Sequence, residues 1–211
     1  MADWHVQQGP FDIPDVPDFI PRRLKPYLFI FFVLIIQFSG GVYLAAASDM
    51  VGTKAVMQED ILMAGYASLI GMAINFAMMF RIKFRFSTRN QLLVSGMVLI
   101  AANVICAYTT SVPLLVGTCF VAGWFRMQAT FACNSTIQLW LTPVRDMAIF
   151  FCYVYIIVDS VIQLSGIATI YTAFFSQWEY MHWIMTGMLA LMMLMVMTAC
   201  ALLVMIVMML E

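Results

Sequence analysis

The chain has 211 residues, of which 64% are hydrophobic and 10% charged, with a formal net charge of −1 and a mean hydropathy of +0.95. Soluble domains carry about 45–50% apolar and about 25% charged residues. The composition therefore excludes a soluble globular fold, and the near-zero charge gives no footing for nucleic acid. What remains is an all-α polytopic membrane protein whose first partner is the lipid bilayer.

Residues 1–25 form a Pro/Asp-rich tail. Its segment GPFDIPDVPDFIPRRLKP carries a proline every few residues, which predicts extended rather than helical backbone. The apolar run that follows is too long for a signal peptide, and its flank is acidic. A spanning helix needs about 20 mostly apolar residues. Within 26–211, six stretches meet that need: about 27–48, 61–80, 92–109, 112–141, 147–175 and 182–210. The first carries Gln37 at mid-depth, and Ser39–Gly41 beyond it permits close helix approach. The second carries Asn75 on the same face as Ser68 and Gly71. The basic loop RIKFRFSTR then supplies Arg81, Lys83, Arg85 and Arg89, and the third span has Asn103 as its polar residue.

The fourth span contains AGWFRMQATFACNSTIQLWL, in which Arg126 is the one formal charge. Arg126, Thr130, Asn134 and Gln138 recur every four residues, so they form one polar stripe that must face protein or a cavity. Arginine at a membrane mid-plane costs roughly 2.5–3.5 kcal/mol on insertion scales and calls for a partner. Asp159 of the fifth span lies at a similar depth, with Gln163 one turn further on, and is the expected partner. The sixth span is methionine-rich and apolar all round, the pattern of a peripheral, lipid-facing helix. Tyr171, Trp178, Tyr180, His182 and Trp183 cluster at its outer end as an expected aromatic belt.

Arg22, Arg23, Lys25, Arg81, Lys83, Arg85, Arg89 and Arg145 fall on one side of this topology and only Lys54 on the other. The bias places the N-terminus in the cytoplasm, and the expected location of this multi-pass protein is the plasma membrane, the bacterial inner membrane. The five cysteines lie in apolar runs and form no CxxC, so neither metal nor cofactor is expected. Every loop is short, which puts any function inside the bundle.

Six spans, an inward N-terminus, a basic loop after the second span and an arginine in the fourth make a recognisable set. The sequence resembles the N-terminal half of a major facilitator superfamily transporter, nearest to the drug/proton antiporter type. RIKFRFSTR stands at the family's basic loop signature, and GWFRMQATFAC at its fourth-helix arginine motif. The chain lacks the aspartate of the loop signature and the Gly-Pro of the fifth-helix antiporter motif. The resemblance implies half of a major-facilitator-type bundle, with helices one, two, four and five on the cavity side. It implies loop gating through Arg81, Lys83, Arg85 and Arg89. Because the family's cavity lies between two six-helix halves, it also implies a C-terminal half in the same or another chain.

The expected function is secondary active transport, not enzymatic catalysis. A small amphipathic, drug-like solute and H⁺ would pass along a pathway of Arg126, Asp159, Gln163, Asn134, Gln37 and Asn75. One alternative is a non-transporting membrane subunit or scaffold, in which the same polar groups fix helix register. An intramembrane serine protease is a minor alternative, because LVSG at 93–96 lacks the first glycine of a Gly-x-Ser-Gly nucleophile and His182 lies at a helix end.

Overall fold

The computed structural model describes residues 25–38, 50–52, 56–86, 88–138 and 144–210, and the description that follows concerns these. They are helical apart from short connections, with no strand among them. The helices are α1 (Lys25–Gln37), α2 (Gln58–Arg85), α3 (Thr88–Tyr108), α4 (Val112–Gln138), α5 (Val144–Phe175) and α6 (Glu179–Leu210). Five of them, α2 to α6, are long and apolar enough to cross a membrane, and the chain is an all-helical membrane protein. The apolar part of α1, Tyr27–Gln37, is shorter. The rest of the expected first span, with Ser39–Gly41, lies outside the described residues, as do the tail's Arg22 and Arg23, and Lys54.

Helix boundaries follow local chemistry. Pro26 and Pro113 sit in the first turns of α1 and α4, where the missing N–H has no intrahelical partner to lose. Glu59 and Asp60 occupy the first turn of α2, where carboxylates oppose the positive end of the helix dipole. The loop expected after residue 80 is mostly helix. α2 continues to Arg85 and closes with the Phe86 N–H donating to the Ile82 carbonyl at 3.1 Å. Arginine and lysine are good helix formers and favour the negative C-terminal end, so Arg81, Lys83 and Arg85 extend the helix rather than break it. Arg89 lies in the first turn of α3, and the side chains of Arg81, Arg85 and Arg89 are exposed. At about 1.5 Å per residue, the 32 residues of α5 and of α6 each span about 48 Å, well beyond a hydrocarbon core of about 30 Å.

α4 is the hub. It packs most extensively on α2, then on α3 and α1, while α5 touches chiefly α1 and α6. The main core joins Phe29, Phe32, Val33 and Ile36 of α1 to Ala129, Ala132, Cys133 and Ile137 of α4, closed by Leu99 of α3 and by Leu189 and Met192 of α6. The closest approach is between α2 and α4. A Cβ added to Gly123 would collide with the Ser68 carbonyl, and one added to Gly71 would collide with the Phe120 carbonyl and meet the Trp124 backbone nitrogen at 3.1 Å. Backbone therefore lies directly on backbone, as small residues allow in membrane helix pairs. Ser68 meets Gly123 and Asn75 meets Gln128, so the two helices run parallel.

α6 is less peripheral than its composition suggests. Trp178, just before the helix, and Met181, Met185, Leu189 and Met192 within it recur every three or four residues and are buried against the bundle, while Trp183, Leu191, Leu194 and Met197 are exposed. Trp178 and His182 are also buried, and their rings meet edge to face at 5.6 Å. Those two leave the expected aromatic belt, whereas Tyr171, Tyr180 and Trp183 remain exposed.

α3 and α4 are joined by only three residues, 109–111, which forces them antiparallel. Near that turn the buried Cys106 and Cys119 sulfurs lie 3.9 Å apart. Bond formation requires the two sulfurs to close to about 2.05 Å. Mild oxidation of the full chain with copper phenanthroline should give an intrachain disulfide, read as a mass lower by two hydrogens and loss of both thiols to maleimide. Retention of both thiols would refute this α3–α4 register.

Candidate functional site in the bundle interior

Lipid offers no hydrogen bonds, so polar side chains inside a membrane bundle turn toward one another. Two sets do so here. In the first, the Gln37 Nε2 of α1 donates to the Thr130 Oγ1 of α4 at 2.9 Å, and Thr130 donates to the Arg126 carbonyl at 2.9 Å. The second links three helices. Asn75 Nδ2 of α2 donates to Gln128 Oε1 at 3.1 Å, and Gln128 Nε2 donates to Gln91 Oε1 of α3 at 2.8 Å. Gln91 Nε2 then donates to the Phe86 carbonyl at 2.7 Å, where α2 ends.

Arg126 sits between these sets. Its Nη2 donates to Ser68 Oγ at 3.1 Å and contacts Met72 Sδ at 3.0 Å, both on α2. The residue is 6% exposed, and its Nε is buried with no hydrogen-bond partner among the described residues. The expected pairing with Asp159 is absent. Asp159 and Gln163 lie on an exposed face of α5, and no salt bridge joins Asp159 to Arg126. The physical reason is lateral position. Residue counting puts the two at similar depth, but α4 spends its contacts on α2, α3 and α1, and α5 packs on α1 and α6 instead.

Of the other expected site residues, Asn75 is fully buried and Gln37 nearly so, each bonded across to α4. Asn134 is half-buried, with Oδ1 buried and without a partner among the described residues. The side chains of Gln138, Lys83 and Arg145 lie outside the described set. Two participants were not among the expected site residues: Gln128, legible only as the glutamine of the fourth-helix arginine motif, and Gln91. Gln128 is two residues from Arg126 and so turned away from its stripe, and Gln91 lies just before the third apolar run. The usable signal was that side-chain amides in apolar helices seek partners in one another.

Chemically, the interior offers a fixed cation, amides and hydroxyls within an apolar shell. It holds no His/Cys/Asp/Glu group able to bind a metal among the described residues. No protein-family model, curated protein or solved structure matches the chain.

Proposed function

We propose that the chain is a secondary active transporter of the major facilitator type, or the N-terminal six-helix half of one. It would move a small amphipathic, drug-like solute across the plasma membrane, with the N-terminus cytoplasmic. The observation that carries this reading is the buried Arg126, held at mid-helix by neutral groups alone. A buried charge adds little net stability even when paired, and ionisable groups inside membranes mark solute or ion pathways. Proton coupling falls to Asp159, the acid within the spanning part of α5, with Gln163 beside it on the exposed face. In this reading Arg81, Lys83, Arg85 and Arg89 gate the cytoplasmic side, and a C-terminal half completes the cavity opposite α5.

A scaffold is the second reading. The helix-to-helix bonds of Gln37, Asn75, Gln128 and Gln91 favour it, because they spend those groups on one another.

The test is uptake of labelled amphipathic solutes into proteoliposomes under an imposed pH gradient, with the intact protein as isolated from its membrane. Gradient-driven uptake is expected, and Asp159→Asn should abolish it while the protein still inserts and purifies normally. Undiminished uptake by that variant would remove Asp159 from the mechanism. No uptake of any solute, together with a co-purifying companion chain, would favour the scaffold.

A further inference from the structure

Arg126 has more binding capacity than its neighbours use. A guanidinium carries five N–H donors, and the contacts made here come from Nη2 alone. One acceptor is a neutral hydroxyl and the other a thioether, which is a weak acceptor. Nε is buried and unpartnered among the described residues. Of the acids whose side chains are described, Glu59 and Asp60 begin α2, Glu179 begins α6, and Asp159 is on the exposed face of α5. None forms a salt bridge with Arg126. The flanking side chains Phe125, Ala122 and Met72 are apolar and only partly buried. A buried cation with spare planar donors, a weak sulfur contact and apolar walls is incomplete without an oxyanion.

We propose that Arg126 anchors the anionic group of the solute, so that the substrate class is an amphipathic organic acid whose carboxylate or sulfonate engages the guanidinium. The inference rests on the transport reading for its biological meaning, though not for its binding chemistry. A carboxylate would take two guanidinium donors in the paired geometry that arginine favours, displacing the Met72 sulfur while Ser68 keeps the plane oriented. The apolar body of the solute would lie along the apolar flank of α4. Lysine could supply the charge but not the fork.

Three probes of similar size test this on the intact protein: radiolabelled benzoate, benzamide and benzylammonium. Benzoate should bind at least about tenfold more tightly than benzamide, with benzylammonium weakest. Arg126→Gln should erase the preference, and Arg126→Lys should retain part of it. If Arg126→Gln fails to fold, the ranking of the three probes on the unaltered protein still decides. Equal binding of all three, strongest binding of the cation, or no detectable binding of benzoate would overturn the proposal. So would an unchanged preference in folded Arg126→Gln. Uptake into proteoliposomes separates the two readings. Benzoate binding with no uptake of any labelled solute supports the anion site and counts against transport, whereas uptake of benzylammonium but not benzoate sinks the anion site and leaves transport standing.

Discussion

Gly123→Leu should prevent the bundle from assembling. A Cβ at this position already runs into the Ser68 carbonyl, with the Ser68 carbonyl carbon 2.7 Å and its Cα 2.8 Å away. These are backbone atoms of another helix, so no rotamer change relieves the clash, and α2 and α4 must separate. Overpacking a well-fitted core costs roughly 1–3 kcal/mol where side chains can yield, and here they cannot. Separation would also strip Arg126 of Ser68 and Met72. The check is size-exclusion chromatography and thermal unfolding in mild detergent, with loss of the monodisperse peak expected. Gly117→Leu is the control, since nothing lies within 4 Å of a Cβ there. Equal behaviour of the two variants would mean that α2 and α4 do not approach at Gly123.

Gln128→Leu should be the most damaging polar substitution. It removes the acceptor for Asn75 and the donor for Gln91 in one step, and both lie at sites 5% exposed or less. A buried polar group left unsatisfied costs about 1–3 kcal/mol. Single interhelical bonds in membranes average only about 0.6 kcal/mol. The difference makes the test decisive. A loss of about 2 kcal/mol or more would mean stranded amides, while a loss below about 1 kcal/mol would mean that Asn75 and Gln91 re-pair elsewhere. Adding Asn75→Leu to Gln128→Leu should recover part of the loss, because a double-mutant cycle removes the stranded partner.

The five spans of α2 to α6 were legible because long apolar runs are the strongest signal a sequence carries. The boundary at Arg81 was not, since charge marks the edge of lipid rather than the end of a helix, and α2 runs on to Arg85. The shared face of Ser68, Gly71 and Asn75 could be read from spacing alone, and the structure turns it toward α4. Arg126 was recognisable as buried, but its neighbour was not. Depth along a helix follows from counting residues, whereas lateral order depends on packing choices among several apolar faces. That ambiguity also hid the bundle side of α6, where Met181, Met185 and Leu189 look no different in composition from the outward Leu191, Leu194 and Met197.

The amide series of α2, α4 and α3 has a direction. A backbone carbonyl can only accept, so Phe86 obliges Gln91 to present nitrogen to it and oxygen to Gln128. Gln128 must then turn its own oxygen to Asn75, whose nitrogen is thereby committed. The orientation of every amide is dictated from one end, like arrows laid head to tail, without any hydrogen being seen. The dipoles align and reinforce one another. Their tail is the Asn75 Oδ1, buried and without a donor among the described residues. The wire thus runs over about 16 Å of α2, from a grounded terminus at the membrane edge to an open negative pole at mid-depth, one turn from the methionine that touches Arg126.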